Sequence, residues 1–295
     1  QNNVASVSCS SHATCGAGTY ETTKPSTSVN RGCSNCATGK YQTNGAFTGS
    51  SCNFCAAGWS FGVHFGAAAY HAAMAIPHGM IGVSMTTGGM QVLPVDGAKP
   101  MFGLNPISIA VPTNSEAPFI FDASMSSVAG NKIALAKRLG VDVAPGWIAG
   151  ADGIPIMEES PVPDEFFMLP SGGTREGGAH KGSSMGIWVE IMCALLGSSG
   201  AGPNRRGGAS HHFIAYNVEA FADLEEFKSE MDIYMNEIKN TPPIPGKDRV
   251  VYAGLPEHEE EIDRRENGIP YHPEVIDWFR GITGELDIPW RLTDD

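Results

Sequence analysis

Two short stretches carry the residue types that could do chemistry. His64-Phe65-Gly66-Ala67-Ala68-Ala69-Tyr70 sets an imidazole ahead of an Ala-rich helical run. Ala179-His180-Lys181-Gly182-Ser183-Ser184-Met185 sets an ammonium ahead of an apolar one. The leading end of a helix carries about half a positive charge and N–H groups without intrahelical partners. Such an end favours a neutral, proton-accepting imidazole, and beside a lysine it suits phosphate. An imidazole, with an unperturbed pKa of about 6.5, can both take and return a proton near neutral pH. The pair therefore suits proton transfer beside a phosphate-bearing ligand.

Around these residues the chain must supply a core and a frame. Of its 295 residues, 42% are hydrophobic and 17% charged, enough for one large domain or two modest ones. Acids outnumber bases 32 to 19, a formal charge of −13. That field repels polynucleotides and anionic membranes, so neither is expected as a partner. The longest apolar run, 186–197, is too short for a bilayer and contains Glu190. The first residues lack the basic start and apolar middle of a secretion signal.

Six of the seven cysteines lie between Cys9 and Cys55, with only Cys193 outside. This asymmetry divides the chain into a Cys-rich irregular module, 1–58, and an α/β body, 59–295. A unit recurs in the module: Cys15-Gly16-Ala17-Gly18-Thr19-Tyr20, Cys36-Ala37-Thr38-Gly39-Lys40-Tyr41 and Cys55-Ala56-Ala57-Gly58-Trp59-Ser60. Two readings stay open. The repeat resembles the disulfide-held modules of ephrin-receptor-like and tumour-necrosis-factor-receptor-like ectodomains, which bury little apolar surface. Alternatively, Cys33-x2-Cys36 followed fifteen residues later by Cys52-x2-Cys55 fits zinc-ribbon spacing. Disulfides are favoured, and no metal is expected in the body.

The body alternates strands and helices. Residues 65–78 read as an Ala-rich helix ended by Pro77 and Gly79. Strands are expected at 81–85, 106–111, 119–121 and 213–216. Helices are expected at 132–139, at 224–239, and from Glu257 and Pro273. An apolar helix capped by serine covers 183–196, and 145–163 reads as a loop. His71 and His78 read as surface or interface groups. His211 and His212 alternate to opposite faces of a strand, which makes them poor joint metal ligands. Cys193 reads as a buried inert thiol, Glu190 as a pocket or interface group, and Arg205-Arg206 as a loop that is either solvated or meets a carboxylate.

The familiar nucleotide fingerprints are missing: no Gly-x-Gly-x-x-Gly follows a strand, and no phosphate-binding Gly-x-x-x-x-Gly-Lys exists. Six ordered stretches nonetheless resemble the malate/L-lactate dehydrogenase family, whose ureidoglycolate- and sulfolactate-type members do not use a Rossmann fold. They are His64-Phe65-Gly66-Ala67; Ile81-Gly82-Val83-Ser84-Met85; Gly103-Leu104-Asn105-Pro106 with Ala110-Val111-Pro112; Phe121-Asp122-Ala123-Ser124 with Lys132; His180-Lys181-Gly182 with Glu190; and Tyr252-Ala253-Gly254-Leu255-Pro256. The likeness runs over 63–283.

The resemblance implies a non-Rossmann, mixed-sheet α/β fold and NAD (or NADP) as hydride carrier. It also implies a small 2-hydroxy or 2-keto acid substrate, a homodimer and a cytoplasmic setting. If the module is genuine, the alternative is a non-catalytic extracellular binding protein with a degenerate body. His64 matches the family's acid/base histidine. Asp122, Ala123 and Ser124 match a cofactor-contacting turn, where a carboxylate binds ribose hydroxyls and repels a 2′-phosphate. Lys181 and Gly182 match a second cofactor contact, and Gly254, Leu255 and Pro256 a third. Gly88 stands where relatives often place serine, so its backbone would serve the cofactor instead. Family members also carry a longer stretch ahead of the matched histidine, with a His-Ser-His-Gly-type motif and a carboxylate-clamping arginine. The Cys repeat stands there, and the strand expected before His64 looks replaced by 58–63. The expectation is a retained fold with an unsupported sheet edge and impaired turnover.

Overall fold

In the computed structural model, residues 64–292 are described in full. Ahead of them stand the backbones of β1 (Thr19–Thr23), β2 (Gly32–Asn35), β3 (Lys40–Tyr41), β4 (Asn53–Phe54) and β5 (Ala57–Gly62). β1 pairs antiparallel with β2, and β3 with β4. The disulfide and zinc readings of the module fall outside the described residues. So does its likeness to receptor ectodomains.

The body is built on one five-stranded sheet. Its further strands are β6 (Met80–Thr86), β7 (Ile107–Val111), β8 (Phe119–Ala123) and β11 (Ala209–Asn217), in the order β5-β11-β6-β7-β8. Two expectations need correcting here. The sheet was expected to be mixed, yet all four of its pairings are antiparallel. The strand ahead of His64 was expected to be lost, yet β5 is present and runs along β11 from Gly62↔Ala209 to Ala57↔Ile214. Gly and Ser within 57–62 hid the strand from its composition; its partner on the far side of the body supplies the backbone bonds that local propensity does not.

Side-chain alternation gives the sheet two different faces. On one face, Met85, Ile107, Val83, Ile109, Ala123 and Ile214 meet Val189, Met192 and Cys193. These last come from α3 (Ala179–Val189) and the π-helical turn Glu190–Leu195 that continues it. The other face carries small and polar residues beside Phe213: the registers Phe213↔Ser84, Ser84↔Ser108 and Ser108↔Asp122 form one cross-strand row. Against this face lies α1 (Ala68–Ala73). Small residues make that approach possible. A Cβ on Gly82 would stand 1.9 Å from the Ala72 carbonyl oxygen, so helix backbone rests directly on strand backbone. The Ser84 hydroxyl donates to the Ala68 carbonyl at 2.7 Å.

The expected helix over 65–78 is shorter than its composition suggested. It begins at Ala68, gives way to a 3-10 turn at Ile76–His78, and ends on Gly79 at φ 66°. A second apolar cluster gathers Val92, Phe102, Ile133, Ile148 and Met168 around α2 (Gly130–Leu139) and the antiparallel pair β9 (Ile148–Gly150) and β10 (Phe166–Met168). β9 lies inside the segment read as a loop. α4 (Leu224–Lys239) matches its expected bounds, with Asp223 as cap.

Residues Leu255–Asp295 form a separate unit. It comprises α5 (Leu255–Asn267) and α6 (Pro273–Glu285). Glu261–Arg265 and Glu260–Arg264 ion pairs line α5, and Tyr271 meets Phe279 edge-on at 5.7 Å beside α6. Among the described residues, no helix is long and apolar enough to cross a membrane.

Candidate active site

His64 follows β5 and precedes α1 by four residues, exposed on the link between them. Its Nδ1 accepts the Gly66 N–H at 3.0 Å. A backbone N–H can only donate, so the neutral ring here carries its proton on Nε2. Gly66 holds φ +86°, a conformation glycine adopts without strain. The histidine is thus placed ahead of the helix rather than at its first turn.

The helix start is satisfied from across the sheet. Asp122, near the end of β8, accepts the Ala69 N–H on Oδ2 at 2.7 Å. The carboxylate expected to face a ribose therefore has one oxygen engaged in capping α1, and it ties the His64 segment to the turn formed by Asp122, Ala123 and Ser124. Ala123 packs into the core beneath. From that turn the contacts run on: the Ser171 hydroxyl donates to the Ser124 and Ser126 carbonyls at 3.3 and 3.1 Å. Ser171 in turn lies against α3. A Cβ on Gly182 would come within 2.3 Å of the Ser171 carbonyl oxygen, so only glycine lets the first turn of α3 sit that close.

Lys181 is the third residue of α3 and exposed. The sequence alone places it ahead of a helix beginning at Ser183. The helix instead begins at Ala179, because Gly178 at φ 93° caps it without any side-chain bond. The glycine-rich stretch before it walls a cavity of about 480 Å³, lined by Ser127, Trp147, Ser171, Gly172, Gly173, Thr174 and Gly177 among others.

Gly88 sits in a buried polar network. Its N–H donates to Asn105 Oδ1 at 2.9 Å, and its carbonyl accepts from Arg205. Asn105 holds φ +44° and donates through Nδ2 to the Gly186 carbonyl at 2.9 Å and to Glu190 Oε1 at 3.0 Å. Glu190 also pairs with Arg205 and accepts the Gly202 N–H at 3.1 Å. Of the two readings of Arg205, the structure shows the one in which it meets a carboxylate. Both backbone groups of Gly88 are engaged within the protein. Gly254, at φ +96°, lies against Ile120 and Pro118 at the start of β8; Leu255 and Pro256 open α5 in the second unit.

A cluster that the sequence did not single out surrounds the residue after His64. Phe65 stacks on His71 at 4.8 Å and on His211 at 4.7 Å, with Phe213 at 6.0 Å. His211 is buried and shares a 2.6 Å hydrogen bond with Thr86. Burial, then the charges of His71 and His64, hold its pKa below the ordinary imidazole value. His212, on the opposite face, is lowered to about 4 by burial. Burial pushes the Cys193 thiol up, so it is inert, as expected. The signal for the cluster was alternation along 209–217, which sets His211 and Phe213 on the α1 face together.

Known proteins resemble this chain over the same span. The profile of the malate/L-lactate dehydrogenase family matches residues 49–280. The malate dehydrogenase of Pyrococcus abyssi is 34% identical over 232 residues, 76% of this chain and 64% of that enzyme. The malate/(S)-sulfolactate dehydrogenase of Methanothermus fervidus is 31% identical, over 76% of this chain and 65% of that enzyme. The chain thus spans somewhat under two thirds of the length of these relatives. Among solved structures, Entamoeba histolytica malate dehydrogenase superposes with a TM-score of 0.73 at 28% identity, covering 80% of this chain and 70% of its own.

Proposed function

Because this chain belongs to the malate/L-lactate dehydrogenase family, we propose that its body is the hydride-transfer domain of a nicotinamide-dependent oxidoreductase for small 2-hydroxy and 2-keto acids. One observation carries the reading: a continuous run of contacts joins His64, α1, Asp122, Ser124, Ser171 and the first turn of α3. An acid/base group and a cation separated by 117 positions (181 − 64) are thereby tied to one stretch of protein.

The residues present fit a dinucleotide. Gly172, Gly173 and Gly177 leave part of the cavity wall without side chains, and Trp147 and Thr174 line it; His64, Asp122 and Lys181 are not among its lining residues. Its volume of about 480 Å³ lies within the range of small-ligand sites. The Lys181 ammonium would hold phosphate; the Ala179 and Lys181 N–H groups are already engaged by the Thr174 and Gly178 carbonyls at 2.8 Å. Ser124 would shape the approach, and Gly182 would serve by letting α3 sit close to Ser171. The negative charge of Asp122 opposes a 2′-phosphate, which favours NAD over NADP. Gly88 and Gly254 complete the proposed set within the first unit, Gly88 by shape because its backbone groups are engaged.

A nicotinamide held there would supply the acceptor or donor of hydride for the substrate carbon bearing oxygen. His64 manages the proton on that oxygen through Nε2. To accept a proton there, the ring must carry its other proton on Nδ1, so the Gly66 bond opens in the reacting arrangement. A homodimer is in keeping with the exposed apolar row Met185, Trp188, Ile191 and Leu195 along α3 and its π-helical extension.

Fluorescence titration with NADH tests the reading. The protein should bind, and Lys181→Ala should weaken binding about tenfold, the loss of roughly 1.4 kcal/mol of charge-assisted contact. His64→Ala should bind NADH within twofold of the parent yet reduce no 2-keto acid. Absence of binding at millimolar NADH contradicts the proposal.

A further inference from the structure

The link that carries His64 is short and exposed, and such links are ordinarily mobile. Here its next residue is held from three sides. The Phe65 ring lies nearly parallel to both neighbouring imidazoles, at interplanar angles of 13° to His71 and 2° to His211. Phe213 closes the third side, tilted at 48°. The Phe65 main chain is tied as well, because its carbonyl accepts from His71 Nε2 at 2.8 Å. A carbonyl only accepts, so this bond requires the proton of His71 on that nitrogen.

The two gripping histidines belong to different elements. His71 rides on α1, one turn past its start. His211 is on β11, the strand between β5 and β6, and is anchored by Thr86. The clamp therefore references the link to helix and sheet at once. His211 stays uncharged at neutral pH for the reasons given above, so the face it offers Phe65 is a neutral ring.

We propose that Phe65 is a positioning residue for His64, and that the His71–Phe65–His211 stack fixes the backbone from which His64 is aimed. This rests on the reading of His64 as the acid/base group, but the geometry it predicts exists without any ligand. In the ligand-free protein residues 64–66 are held together with the Gly66 N–H on His64 Nδ1; in the reacting arrangement that bond opens while the Phe65 stack still holds the backbone. In the ligand-free protein, neutral His64 should then populate a single tautomer with its proton on Nε2.

Long-range proton–nitrogen spectra of the imidazole rings read that tautomer directly, on the ligand-free chain at pH 8. The parent should show one Nε2–H pattern for His64. Phe65→Leu, which removes the stack but keeps an apolar side chain, should convert it to a mixture of both tautomers. Phe65→Tyr, which restores a stacking ring, should return the single pattern. Thermal unfolding of each variant shows that the fold is kept. Should Phe65→Leu fail to fold, His71→Ala removes one jaw and the carbonyl bond, and should give the same mixture. A parent with mixed tautomers, or a folded Phe65→Leu or His71→Ala variant with the parental pattern, overturns the proposal. Failure of NADH binding in the separate titration would bear on the function alone.

Discussion

Asp122 illustrates how a residue proposed for the site also serves the frame. Its carboxylate caps α1 through the Ala69 N–H, and a cap of this kind contributes about 1 kcal/mol. Asp122→Ala should therefore lower stability by about 1 kcal/mol, read as a shift in the urea midpoint with an unchanged slope. An unchanged midpoint would show that α1 does not depend on it. His64, Lys181 and Asp122 could be singled out as candidates because each stands in a stretch that resembles the family. Their partners could not: Phe65, His71 and His211 each look ordinary alone. Only the pairing of β11 with β6 brings His211 beside Thr86, 125 positions away.

At the scale of elements, the close contact of α1 with β6 governs the geometry of the site. Gly82 is needed because the Ala72 carbonyl occupies the space of its missing Cβ. Backbone cannot move aside as a flexible side chain can, so Gly82→Ala must lift α1 away from the sheet. The expected cost is about 3 kcal/mol, at the upper end for overpacking. The Asp122 cap and the Phe65 stack should loosen with it, which amide exchange at Ala69 would reveal as lost protection. A fully stable variant with the Ala69 amide still protected would show that α1 does not rest on Gly82. Most elements of the body were readable from periodicity. α4 matches its expected bounds, and β6 extends beyond the expected strand by one residue at each end. What escaped were features fixed by tertiary context. α3 starts early on a positive-φ glycine, β9 has three residues and leans on β10, and β5 depends on a partner far along the chain.

For the whole molecule, burial of His212 sets an acid limit. Its folded pKa of about 4 lies below the ordinary 6.5, so the unfolded chain takes up a proton that the folded one refuses. The associated stability is full above pH 6.5 and is lost as the pH falls toward 4. His211 is displaced in the same direction. A tenfold difference in proton affinity corresponds to about 1.4 kcal/mol, so His212 alone accounts for about 2 kcal/mol between pH 7 and pH 5. Urea midpoints at the two pH values should differ accordingly, and His212→Gln should shrink the difference. An equal difference in the variant would assign the acid loss to other groups. Arg205 bears on the same scale: Arg205→Leu would strand Glu190 in the interior, a change that typically costs several kcal/mol.

The central claim is that the segment of His64, the turn at Ser124 and the first turn of α3 face one bound dinucleotide. Backbone amide spectra recorded during an NADH titration test it most directly. The account predicts that amides at 64–69, 122–124 and 178–182 shift together along one binding curve. Shifts confined to one of these segments, or to surfaces remote from all three, would contradict it.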